Sequence, residues 1–230
     1  MGAGRLTLRR STPRTHEHLM PRPFDLTLYL VTDPRLVAER GLVATVDAAV
    51  KGGVTLVQLR DPDAHGRVLV EQARALKALL APLAIPLIVN DRVDVAVAAD
   101  ADGVHLGQDD MAPADARALL GPGRILGLSV GNPAEFAASD IDVADYLGVG
   151  PVKATGTKKD AGAAIGAAGV AAVRALTRLP IVGIGGIDGA LAGEVIRAGA
   201  DGVAVVSAIC AAPDPQHAAR ALLSAVTAAR

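Results

Sequence analysis

Leu26-Thr27-Leu28-Tyr29-Leu30-Val31-Thr32-Asp33-Pro34 is the first apolar run of this 230-residue chain, and the way it ends decides the fold. A strand over Leu26–Val31 runs directly into Thr-Asp-Pro, without the glycine-rich loop that usually follows the first strand of a doubly wound open sheet. Similar short runs follow at Leu56–Leu59, Leu87–Val89, Gly103–His105, Ile125–Leu128, Tyr146–Val149, Ile181–Ile184 and Gly202–Val205. They are close to continuously apolar, as parallel strands buried on both faces should be. Ala/Leu-rich segments of helical period separate them. One, over Val68–Leu80, is predicted to set Val68, Gln72, Ala75, Leu76 and Leu79 inward, with Arg74 and Lys77 turned away. Another, over Ala190–Ala198, stops at Gly199, a natural C-cap. Eight strands alternating with helices in about 200 residues predict an α/β protein, a closed (β/α)8 TIM barrel. No linker or break in composition divides residues 25–230, so they are expected to form one domain.

Composition narrows the function. The chain is 51% hydrophobic with 25 Gly and 14 Pro, which is globular, and a formal net charge of −1 supplies no field toward nucleic acid or anionic lipid. Two Tyr, two Phe and no Trp leave no stacking platform for single strands and predict a core of Ala, Val, Leu and Ile. The single Cys210 rules out an internal disulfide framework, fits a cytoplasmic location and reads as a small buried filler. No run approaches the roughly 20 apolar residues of a membrane span. Residues 1–24 differ: Arg5, Arg9, Arg10, Arg14 and Arg22 lie among Ser, Thr, Pro and Gly. This segment lacks the apolar stretch of a secretory signal and reads as a disordered basic arm, or as an extension upstream of an alternative start at Met20. Its prolines and His16-Glu17-His18 interrupt the amphipathic helix a transit peptide would need.

In a barrel the chemistry gathers just past the strand ends. After the second strand stand Gln58, Leu59 and Arg60; alternation aims Gln58 and Arg60 at the mouth, where the Arg fork suits phosphate and the amide suits a heterocycle edge. After the third and fourth come Asn90-Asp91-Arg92 and His105-Leu106-Gly107-Gln108-Asp109-Asp110. Asp91 and Asp110, from neighbouring strand ends, make an oxygen-rich site suited to Mg²⁺. Asp109 is expected to cap the helix that starts at Pro113, and His105 to be a hydrogen-bonded core residue rather than a ligand. Ser129 ends the fifth strand as a hydroxyl donor.

The sixth strand opens into Gly150-Pro151-Val152-Lys153-Ala154-Thr155-Gly156-Thr157-Lys158-Lys159-Asp160, a loop of hydroxyls and positive charge. The seventh and eighth end in Gly185-Gly186 and Val206-Ser207, where barrels of this class commonly seat a phosphate on backbone N–H groups. Two anion sites follow from this layout. One is cationic and metal-assisted (Arg60, Lys158, Asp91, Asp110) and suits a diphosphate; the other is backbone-built (Gly185, Gly186, Ser207) and suits a monophosphate. No Ser-His-Asp or Cys-His arrangement is present, and Lys158 beside Lys159 is poorly placed for a Schiff base.

Taken together, Tyr29–Asp33, Gln58–Arg60, Asn90–Ala96, Gly103–Met111, Gly148–Asp160, Gly183–Ile187 and Val206–Ile209 resemble the thiamine-phosphate synthase family over nearly all of the chain after the arm. The resemblance implies a transferase. It would join 4-amino-2-methyl-5-hydroxymethylpyrimidine diphosphate to a thiazole phosphate, releasing pyrophosphate by a dissociative, Mg²⁺-assisted route. It implies that Asp91 and Asp110 bind Mg²⁺, and that Gln58, Arg60, Asn90, Lys158 and Ser129 hold the pyrimidine diphosphate. Thr155, Thr157, Gly186, Val206 and Ser207 would seat the thiazole phosphate, with Leu59 and Gly156 part of the same binding segments. Arg60, Ser129 and Lys158 carry the catalytic expectation. The partners implied are these two small molecules, with no nucleic acid and no membrane; a homo-oligomer is compatible with the pattern.

Two positions depart from the family pattern. Pro62 stands where a Lys is usual, and Val130-Gly131-Asn132-Pro133 lacks a His often found after the serine. The second departure disfavours the related thiazole tautomerases, whose chemistry is thought to use that His. The first is the only feature favouring a substrate-binding paralogue that has lost catalysis.

Overall fold

The structure, a computed structural model, describes residues 23–156 and 162–230. Its first half runs β1 (Leu28–Val31), α1 (Leu42–Lys51), β2 (Leu56–Leu59), α2 (Gly66–Leu80), β3 (Leu87–Asn90), α3 (Val93–Ala98), β4 (Gly103–Leu106) and α4 (Pro113–Leu120). The second half runs β5 (Ile125–Val130), α5 (Pro133–Ala138), β6 (Tyr146–Val149), α6 (Gly166–Arg174), β7 (Ile181–Ile184), α7 (Gly189–Arg197) and β8 (Gly202–Val205). Two further helices, α8 (Ser207–Cys210) and α9 (Pro215–Ala228), complete the chain. The eight strands pair in sequence order, and β8 returns to β1 through Leu28↔Val203 and Tyr29↔Ala204, closing a parallel barrel. The expected fold is the observed one.

Alternation sorts every strand into two cores. Leu28, Leu30, Val57, Leu59, Leu87, Val89, Leu126, Leu128, Leu147 and Val149 face outward and pack under the helices. Tyr29, Leu56, Ile88, Ile125, Tyr146, Val182 and Ala204 fill the lumen. The lumen corrects one expectation, because both tyrosines of the chain sit at its centre, fully buried. Space for them comes from missing side chains: a Cβ on Gly127 would collide with the Tyr146 ring and with His105. Phe24 caps the bottom, its ring centroid 5.7 Å from that of Tyr146. Residues 1–22 of the proposed basic arm lie outside the described residues.

A repeated device ties the strand starts together. Asp102, Asp145 and Asp201 each precede an even-numbered strand and accept the backbone N–H of Leu87, Leu126 and Ile181 in the strand before it, at 2.9, 2.7 and 2.8 Å. Each carboxylate also meets a cation: Lys77 at 2.6 Å, Arg117 at 2.7 Å and Arg174 at 3.5 Å. At β1 and β2 the Thr55 hydroxyl accepts from Leu28 N–H in the same way. These contacts sit on the N-terminal face, where barrel residues serve stability.

Helix α2 shows the limit of periodicity. Its buried stripe is Leu69, Ala73, Leu76 and Leu80, one position round from the predicted one, and Val68 is exposed. Both stripes are apolar in this Leu/Ala-rich helix, so only packing on β3 sets the phase. Lys77 is consequently not turned away but pairs with Asp102. Gly199, with φ of +100°, ends α7 as expected.

Candidate active site

The strand ends meet on one rim, and short hydrogen bonds fix their spacing. Thr32 N–H donates to the Gln58 carbonyl at 3.0 Å, and Arg60 N–H donates to the Thr32 hydroxyl at 3.0 Å, locking the ends of β1 and β2 together. Among the described residues the Arg60 guanidinium has no hydrogen-bond or ion-pair partner, so its fork remains available to a ligand. Leu59 turns its side chain out into the helix layer, leaving only its backbone to the rim.

Asp91 N–H donates to the His105 carbonyl at 2.9 Å, which sets this residue against the end of β4. Its φ is +60°, a left-handed conformation that costs a non-glycine residue about 1–2 kcal/mol. Aspartate tolerates that region better than most residues, and Asp91 directly follows the last residue of β3. Asp110, exposed in the next loop, accepts Gly107 N–H through Oδ2 at 2.6 Å. The two aspartates therefore follow adjacent strands on the same rim. Arg92 leaves the site: it makes a double hydrogen bond to Asp94 at 2.8 and 2.6 Å and holds that carboxyl below its ordinary range. Asp109 does not cap α4, whose N-cap is Ala112 without a side-chain bond.

Below the rim a chain of polar groups crosses the otherwise apolar lumen. Gln58 Nε2 donates to the Tyr29 hydroxyl at 2.7 Å, and Tyr29 and Tyr146 hydroxyls lie 2.8 Å apart. His105 bridges the Tyr146 hydroxyl through Nδ1 and the Ser129 hydroxyl through Nε2, both at 2.9 Å. His105 is thus the core residue the sequence predicted. Burial pushes both tyrosine hydroxyls well above their ordinary range, so they stay protonated. Gln108 braces this side by donating to the Ser129 carbonyl at 2.7 Å.

Across the rim, a cavity of about 470 Å³ is lined by Asp33, Arg35, Lys153, Thr155, Gly156, Gly186 and Ser207, with Leu36 and Ala154. Of the residues expected to hold a monophosphate, Thr155, Gly186 and Ser207 line it, whereas Gly185 and Val206 do not. Gly185 and Gly186 have φ of +99° and +64°, and a Cβ on either would press on Pro151 or Lys153 of the β6 loop. Val152 and Lys153 N–H groups donate to the Ile184 and Gly185 carbonyls at 2.8 and 3.0 Å, so this loop is stitched to the end of β7. Val206 immediately precedes α8 and packs partly into both cores.

Arg35 and Lys153 were not foreseen as site residues. Lys153 had a signal, since it stands in the same basic loop; Arg35 had none beyond its position two residues past Asp33. The buried Asp33 carboxylate holds that turn through Arg35 N–H at 3.0 Å and Leu36 N–H at 3.2 Å. Thr157 and Lys158 lie outside the described residues. Cys210 is buried beneath the Val31 carbonyl, as expected of a filler, and burial pushes its thiol up to about 11.

Strand-end carboxylates, an available arginine and a glycine-built pocket on one rim of a closed barrel are the layout of a barrel enzyme. A thiamine monophosphate synthase family model matches residues 28–209, and the chain belongs to that family. The thiamine-phosphate synthase of Xanthobacter autotrophicus is 83% identical over 92% of this chain and 100% of its own length. That of Azorhizobium caulinodans is 62% identical with the same coverage. The structure of a thiamine phosphate pyrophosphorylase from Pyrococcus furiosus superposes with a TM-score of 0.80 at 37% identity, covering 89% of this chain and 96% of that one.

Proposed function

We propose that this enzyme condenses 4-amino-2-methyl-5-hydroxymethylpyrimidine diphosphate with thiazole phosphate, giving thiamine phosphate and pyrophosphate. The observation that supports the reading is the placement of two sets of polar and glycine residues on one rim, each suited to an anion. Arg60, Asp91 and Asp110 follow β2, β3 and β4 and Asn90 ends β3, whereas Thr155, Gly156, Gly186 and Ser207 share the cavity beyond β6 to β8.

In the reaction the bond between the pyrimidine methylene and the diphosphate oxygen breaks, and its electron pair leaves with pyrophosphate. The lone pair of the thiazole nitrogen then forms the new carbon–nitrogen bond, so no proton need move. The protein's part is to steady the departing charge and to hold the two rings in line. Arg60 offers a planar fork to the diphosphate, and Lys158 is assigned to the same group. Gln58 and Ser129 orient the pyrimidine from below.

Two carboxylates completed by substrate oxygens and water suit Mg²⁺, which commonly takes one or two protein carboxylates plus phosphate. Asp91 and Asp110 fit that donor set, although among the described residues no cluster of three His, Cys, Asp or Glu could hold a metal by itself. Bound there, the ion would neutralise charge on the leaving diphosphate.

The tautomerase alternative gains no support after β5. Gly131 N–H donates to Glu135 Oε2 at 2.7 Å and the Asn132 side chain caps α5, so the polar groups of that segment hold the start of the helix. The deciding assay is pyrophosphate release. Release that needs both substrates and Mg²⁺ supports the synthase; tight binding without release, or isomerisation of a thiazole carboxylate phosphate, overturns it.

A further inference from the structure

We propose that Gln58, Tyr29, Tyr146, His105 and Ser129 form a one-way hydrogen-bond relay whose direction, set by the Gln58 amide, makes the site select a 4-amino over a 4-oxo pyrimidine. The substrate named here rests on the function proposed above; the relay itself does not.

The four contacts run unbroken across the lumen at 2.7, 2.8, 2.9 and 2.9 Å. Each link constrains the next. An amide NH₂ can only donate, so Tyr29 accepts from Gln58 and must spend its own proton on Tyr146. Tyr146, having accepted, donates to His105 Nδ1. A neutral imidazole that accepts at Nδ1 carries its proton on Nε2, and that proton goes to Ser129 Oγ. The Ser129 proton is therefore not used by the relay and is left for a ligand, while no described group donates to the Gln58 carbonyl oxygen.

The ligand thus meets an acceptor at Gln58 Oε1 and a donor at Ser129. An exocyclic amino group beside a ring nitrogen presents the matching donor and acceptor. A 4-oxo ring beside N–H presents the opposite pair and faces like against like. The burial of both tyrosines keeps water from breaking the chain or supplying protons to reverse it. In this scheme Tyr29, Tyr146 and His105 are positioning residues.

The test reads the His105 tautomer by ¹⁵N NMR in the whole, substrate-free protein, so it is independent of the proposed reaction. Wild type should show Nε2–H with bare Nδ1. Gln58→Glu replaces the donor by an isosteric acceptor, so every bond should turn round and the tautomer should change to Nδ1–H, three side chains away. Should that variant not fold, Tyr146→Phe interrupts the chain and should leave a mixture of tautomers. In turnover, Tyr146→Phe should raise KM for the pyrimidine diphosphate about tenfold, the loss of roughly one aligned hydrogen bond, and leave KM for the thiazole phosphate within about twofold. An Nδ1–H or doubly protonated His105 in wild type, or a tautomer indifferent to these substitutions, overturns the relay. Absence of pyrophosphate release from a wild type with the expected tautomer instead overturns the function.

Discussion

Asp91 concentrates the problem of this site in one residue, because its left-handed backbone and its place at the end of β3 come together. Aspartate and asparagine both tolerate φ near +60°, so Asp91→Asn should keep the fold and its melting temperature while losing Mg²⁺-dependent pyrophosphate release. Asp91→Val should lose both, with an added cost of about 1–2 kcal/mol for a β-branched residue held there. Asp110→Asn should behave like Asp91→Asn. Wild-type rates in both asparagine variants would remove the metal site. Most of these candidate residues could be proposed from the sequence because barrel chemistry follows strand ends, and the strand ends could be found. Arg35 and Lys153 were not, since nothing in a single chain says which loops will close over the same cavity.

At the level of elements, glycine and aspartate positions separate stability from activity. Gly127→Ala would drive a methyl group into Tyr146 and His105, and should destabilise by about 1–3 kcal/mol as overpacking does. Asp145→Ala, at the opposite face from the site, removes the acceptor for Leu126 N–H and the partner of Arg117. Its expected cost is about 2 kcal/mol in urea unfolding, with KM for both substrates unchanged. Pro62 lies exposed in the turn after β2, where Ala64 N–H reaches the Asp61 carbonyl at 3.4 Å. Pro62→Lys should leave turnover intact or raise it by adding a cation near Arg60; a severe loss would mean that the turn itself shapes the site. Strand positions were readable from the apolar runs to within one or two residues. The inner face of α2 was not, because a helix rich in Leu and Ala has two apolar stripes and tertiary contact chooses between them.

Over the whole molecule, protons bind the folded chain more tightly than the unfolded one at high pH. Cys210 has its thiol raised from 9.0 to about 11 by burial, and Tyr29 and Tyr146 are raised as well. The stability they contribute is complete below their ordinary values and is lost as pH rises toward the folded ones. Unfolding midpoints in urea should therefore fall from about pH 9 upward, and Cys210→Ala should remove the part of that decline between 9.0 and about 11. A flat profile over that range would show that the lumen and the Cys210 pocket open to water. The sequence by itself determined the alternation, the barrel, the family and the side chains at each strand end, because hydrophobic period and punctuation are local properties of a chain. Only the tertiary structure decided that two scarce tyrosines meet in the lumen and join Gln58 to Ser129, residues 71 positions apart in number. Such contacts exist only once the sheet has closed on itself and brought strands β1, β2, β4, β5 and β6 to face one centre.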